Sequence, residues 1–144
     1  IGLTASEYAR SENALDNIIF ALAMVSSEVG SCITGQFVGM YPRYLALAQL
    51  STARCMPDDV VKEIKRQSEV SSRISEIRNR AIHDAWMNDK DTGETQQFRT
   101  KAKKISHYGP QPVPVESLEA GLTQIRNHLE RIYGLRRRIS ELLR

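Results

Sequence analysis

At 144 residues the chain is about the size of one domain, long enough to bury one continuous core. An apolar share of 41% and a charged share of 26% exclude intrinsic disorder as the default state. The net charge of +3 is too mild for a wholly basic nucleic-acid-binding domain, although cations gather after Lys90 and suit a polyanion locally.

The first helix is expected in LTASEYARSENALDNIIFALAMVSSEV. Thr4 followed three residues later by Glu7 has the form of a capping box. Leu15, Ile18, Leu22, Val25 and Val29 recur at three- and four-residue steps, as one buried seam does. The longest apolar run, Ile18–Val25, has eight residues against the roughly 20 needed to span a bilayer. No signal-peptide pattern precedes it, so no membrane segment and a cytoplasmic setting are expected.

Gly30, Gly35 and Pro42 interrupt the next segment, and PRYLALAQLSTARC then resumes a helical pattern to about Cys55. Pro57 with Asp58 and Asp59 opens a third helix, with proline in the first turn and acids at the positive end of the dipole. It is expected to run to about Asn88, with a core line through Ile64, Val70, Ile74, Ile77 and Ala81. Between Asn88 and Val115, Asp-Thr-Gly marks a turn flanked by segments able to pair as a small hairpin. YGPQPVPVES is extended and ends near Ser117, a capping residue. The last helix, about Glu116 to Leu143, holds the seam Leu118, Leu122, Ile125, Leu129, Ile132, Ile139 and Leu143, broken only by Arg136. The expected fold is therefore all-α. One domain spanning 1–144 forms an antiparallel four-helix bundle, with a long hairpin-containing connection between helices 3 and 4.

Cys32 and Cys55 have no CxxC or Cys/His context, so they read as reduced, buried thiols, and neither a metal nor a cofactor is expected. Arg99, Lys101 and Lys103 alternate and would line one strand face, where they could steer an RNA backbone. Arg136 to Arg138 read as a cation-rich helix end, and Arg126, Asn127 and His128 as surface.

The stretch ISEIRNRAIHDAW, Ile74 to Trp86, carries more chemistry than packing needs. With Ile74 at zero on a helical wheel, Arg78 falls at about 40°, the core edge, Asn79 at about 140° and His83 at about 180°. Ile82 and Trp86 lie between the polar pair and the core, which suggests a second contact surface, most economically another copy of the chain. A fixed cation, an amide and an imidazole on one flank suit phosphate chemistry.

Arg78-Asn79-Arg80-Ala81-Ile82-His83 resembles the Arg-polar-x-x-x-His motif of the HEPN superfamily, placed as there at the close of a long helix. The resemblance implies a metal-independent endoribonuclease of bacterial defence or toxin–antitoxin type. It would act as a homodimer with a composite site, RNA as substrate and a cognate antitoxin or inhibitor protein as a further partner. Arg78 would bind the scissile phosphate, Asn79 would support the site and His83 would handle the proton. Asp84 departs from the pattern, because a small residue often follows the histidine. The competing reading is a non-catalytic HEPN-like module that binds RNA or protein and dimerises through the same flank.

Overall fold

The computed structural model describes residues 1–100 and 108–144, with backbone alone for Arg99, Thr100 and Tyr108. Among them are five helices, α1 Gly2–Ala23, α2 Ser27–Thr34, α3 Met40–Ala53, α4 Asp58–His83 and α5 Val115–Leu142, and three strands, β1 Trp86–Asn88, β2 Thr95–Thr100 and β3 Tyr108–Pro112. The strands form one antiparallel sheet in the order β1-β2-β3. The all-α four-helix bundle is thus corrected to a mostly helical fold with a three-stranded sheet. Among the described residues no single helix is long and apolar enough to cross a membrane.

The helical part departs from the expected bundle for a local reason. Met24 takes a left-handed conformation, φ 58° and ψ 43°, and its amide closes on the Ala21 carbonyl, which stops α1. After the break α2 runs at 118° to α1, capped by the Ser26 hydroxyl on the Val29 amide. Val29 therefore leaves the seam and is exposed, whereas Leu15, Ile18 and Leu22 stay buried. No capping box forms: α1 begins at Gly2, Thr4 is buried inside it, and Glu7 meets Arg10 and Arg126 instead. Gly30 is required where α2 crosses α1, because a Cβ there would lie 2.2 Å from the Phe20 ring.

The short α2 acts as the return leg, so α3 runs parallel to α1. Gly39 lies by the Tyr8 hydroxyl, Arg43 bonds Asp16, and Arg54 bonds the Leu22 carbonyl, both chains advancing together. Arg43, 8% exposed, holds this corner. Its guanidinium bonds both Asp16 oxygens and the carbonyls of Phe37 and Gly39. Pro42 sits in the first turn of α3, where an amide donor has no helical partner to lose. The reverse turn at Pro57 then sends α4 antiparallel to α3, with Asp58 and Asp59 in its first turn.

The core is formed by Tyr8, Leu15, Ile18 and Leu22 of α1, Met40, Tyr44 and Leu47 of α3, Val60, Ile64 and Ile74 of α4, and Ile125 to Ile139 of α5. Leu135 takes the seam position that Arg136 seemed to break, and Arg136 points outward. In the connection, the Asp89 carboxylate accepts the Asp91 and Thr92 amides, and Gly93 at φ 71° completes the turn. The added strand β3 carries Pro110 and Pro112 at alternate positions, while Val113 donates to Thr95. The missing proline donors thus face the open edge, the place where a sheet tolerates them.

Candidate functional site

α4 ends at His83, not near Asn88, because Asp84 turns extended at φ −71° and ψ 141°. Two side chains donate to the last carbonyls of α4, one beside the Asp84 amide on Arg80 O and one in place of the next helical amide at Ala81 O. Gln97 Nε2 donates to Arg80 O at 2.7 Å, and Trp86 Nε1 to Ala81 O at 3.0 Å. The indole therefore packs back on its own helix end, and the sheet fixes where His83 stands.

Arg78 leans across the gap to α1. Its guanidinium carbon lies 5.4 Å from the centre of the Tyr8 ring, a cation–π distance worth about 0.5–1 kcal/mol at an exposed site. The Tyr8 hydroxyl is anchored by Ser75 Oγ at 2.9 Å. Arg78 Nη1 donates to Asn79 Oδ1 at 2.9 Å and reaches His83 Nε2 at 3.1 Å. Arginine has no acceptor, so in this geometry Nε2 is the bare nitrogen and the ring proton sits on Nδ1. Arg78 Nε is buried without a partner. Behind Arg78, burial raises the Glu12 carboxyl above its ordinary range, a shift that Arg43 and Arg78 oppose.

Asn79 and His83 are exposed and face an open groove floored by Ser72 and Ser75 and edged by Glu76, Arg80 and Asp84. Arg80 is tied to Glu76 at 2.6 Å, which cancels one of the two carboxylates there. The expected trio Arg78, Asn79 and His83 is thus brought together within one protomer. Arg99 lies on β2 opposite Gly109, and Lys101 and Lys103 lie outside the described residues. Tyr8, Ser75 and Glu12 were not expected at the site. Tyr8 is seven residues before Leu15 and shares its face, but nothing in the spacing says which residue of α4 it meets.

Two other expectations are corrected. His128 is not at the surface: it is 2% exposed, with Nε2 at 2.9 Å from the Tyr44 hydroxyl and Nδ1 unpartnered. Burial first, and then Arg131, pushes its pKa down to about 4. Cys32 and Cys55 are free, as expected, but exposed, not buried. Among the described residues no group of three or more His, Cys, Asp or Glu side chains could hold a metal ion.

The chain matches no protein-family model, no curated protein and no solved structure.

Proposed function

We propose that the chain is a metal-independent endoribonuclease of the HEPN type, working in the cytoplasm as a homodimer within a bacterial defence or toxin–antitoxin system. The observation that carries this reading is the convergence of Arg78, Asn79 and His83 on one exposed helix end, with Nη1 3.1 Å from Nε2. The bare Nε2 of one copy takes the ribose 2′ proton, and the 2′ oxygen attacks phosphorus. The second copy's imidazole, in its protonated form, gives a proton to the departing 5′ oxygen, leaving a 2′,3′-cyclic phosphate. General acid–base help of this kind supplies about 10²–10⁴-fold, and Arg78 stabilises the charge that develops on the phosphoryl oxygens. A cognate antitoxin or inhibitor protein would act by covering the groove.

The test is incubation of the purified protein with mixed RNA in EDTA, beside His83→Ala. The wild type is expected to cut and leave cyclic phosphate ends. The variant is expected to be inert while unfolding within about 1 kcal/mol of wild type, as exposed substitutions do. Cleavage abolished by chelator, or a variant that cuts at the wild-type rate, overturns the proposal.

One observation favours the second reading, a non-catalytic module that binds RNA or a partner protein. In the single protomer Arg78 already occupies the Nε2 lone pair, which a base must have free. Salt-sensitive RNA binding with no products from the dimer selects this reading.

A further inference from the structure

The cations of α5 separate into two groups. Arg138 pairs with Asp59 and Arg126 with Glu7, whereas Arg136 and Arg137 are exposed and have no ion pair among the described residues. A helix-dipole role does not explain them, because no basic residue stands in the last turn of α5 and the dipole acts only within that turn. Tyr133, Arg136, Arg137 and Ser140 recur at helical steps and fall within about 60° of Tyr133 on the wheel, and Arg144 follows just past the helix end. Two shallow surface depressions share Tyr133 and Arg136: one continues along α5 to Arg144, and the other crosses to Ser6, Arg10 and Asn13 of α1. Arg10 reaches the Tyr133 hydroxyl at 3.5 Å, which ties the two walls together. Four arginines thus line one furrow, and Glu141 is the only carboxylate among its lining residues.

We infer that this α1–α5 furrow binds the phosphodiester backbone of single-stranded RNA, at a surface separate from the Arg78–His83 site. Charge complementarity selects the occupant: Arg10 is held by Glu7, but the guanidiniums of Arg136 and Arg137, without an ion pair among the described residues, can fork onto phosphate oxygens. The small Ser6, Asn13 and Ser140 side chains leave room for a strand, and the apolar lining is limited to Ala9, Ala14 and the Tyr133 ring. On α1 the furrow residues Ser6, Ala9, Arg10 and Asn13 lie about 100–200° round the helix from Tyr8, so the furrow occupies the flank facing away from Arg78. From Arg136 to the end of α5 at Leu142 the cationic face covers roughly 9 Å at 1.5 Å per residue, and Arg10 carries it across the furrow onto α1. The furrow would therefore hold RNA that the composite site cuts elsewhere along the strand. The identity of the polyanion rests on the ribonuclease reading.

The test is fluorescence anisotropy of a labelled oligouridylate of about 12 nucleotides, within the span of single-strand sites. It is titrated in EDTA across a salt series, with His83→Ala in every protein so that the probe survives. Relative to that parent, Arg136→Glu/Arg137→Glu is expected to bind about tenfold or more weakly at low salt. Its salt slope should be smaller by about 1.4, the single-strand value for two lost phosphate contacts. Lys62→Glu/Lys65→Glu makes the same charge change on exposed positions of α4 and is expected to bind nearly as the parent does. Unchanged binding by the arginine double variant, an equal loss in the lysine control, or no binding by the parent overturns the furrow. The cleavage assay answers separately: a furrow variant that loses binding while His83→Ala still cuts refutes the catalytic reading alone.

Discussion

Protonation of His128 is the most quantitative prediction. The Tyr44 hydroxyl donates to Gln67 Oε1 at 3.2 Å, so the 2.9 Å contact to His128 has the imidazole Nε2–H donating to the tyrosine oxygen. That tautomer leaves Nδ1 as a bare lone pair inside the core. Adding a proton puts a charged, unpartnered N–H among Tyr44, Gln67 and the aliphatic seam, close to Arg131. The folded state resists it, and the pKa falls to about 4 from an ordinary 6.5. In the unfolded chain the imidazole protonates at its ordinary value, so acid favours unfolding. The resulting stability is fully present above the unfolded pKa, is lost as pH falls through 6.5, and levels off below about 4. Linkage gives a loss of about 2 kcal/mol between pH 7.5 and pH 5, growing to about 3 kcal/mol at pH 4. Carboxylates titrate over the same range, so the measurement is a difference of differences. Urea unfolding of wild type and His128→Gln is followed at several pH values. Glutamine can keep a donor towards Tyr44 but cannot titrate, so the wild type should lose about 2 kcal/mol more than the variant on going to pH 5. Parallel pH dependences, agreeing within about 0.5 kcal/mol, would show that the imidazole titrates normally and refute the buried-tautomer argument.

Three further outcomes follow from packing. Gly30→Ala drives a Cβ into the Phe20 ring and should destabilise the fold by about 1–3 kcal/mol, the usual cost of overpacking; Phe20→Leu in the same chain should recover much of it. Trp86→Phe keeps the ring but loses the donor to Ala81 O, so about 0.5–1.5 kcal/mol should go, with faster amide exchange confined to the last turn of α4. If the proposed ribonuclease activity holds, Tyr8→Phe, which keeps the ring under Arg78, should leave cleavage unchanged, whereas Tyr8→Leu removes the cation–π contact and should slow it about two- to fivefold.

Periodicity reads well where apolar residues are the only occupants of a seam. Ile64, Ile74 and Ala81 of α4 and Ile125, Leu129, Ile132 and Ile139 of α5 are all buried, as their spacing requires. It fails where the pattern outlives the helix: Val25 and Val29 keep the seam's phase, yet Met24 has already turned the chain. It also fails where chemistry overrides phase. His128 lies three residues after Ile125 and four before Ile132, squarely on the buried stripe, and its polarity alone suggested surface. Leu135 likewise stands three after Ile132 and four before Ile139, so the seam was never interrupted at Arg136. The parallel course of α1 and α3 has no local signal, because it depends on α2 crossing α1 at Gly30. In the candidate site, the adjacency of Arg78 and His83 follows from a five-residue step, about 140° apart but spanned by a long side chain. The Tyr8 platform under Arg78 is a tertiary contact.

That platform has a geometric origin. At 1.5 Å per residue, the 14 residues of α3 cover roughly 21 Å, whereas the 26 residues of α4 run roughly 39 Å. α3 spends its length against the first half of α4, where Tyr44 meets Gln67, and it begins beside Tyr8. Beyond that point α3 no longer separates α1 from α4, and the two meet through Tyr8, Ser75 and Arg78. An aliphatic residue at 78 would fill the same notch, but only a guanidinium can rest on the aromatic face and still extend donors to Asn79 and His83. The mismatch in helix length therefore leaves the room, and the arginine uses it to aim a fixed charge at the imidazole. A longer α3, carried past Gly39 in the N-terminal direction, would bury that charge and close the groove.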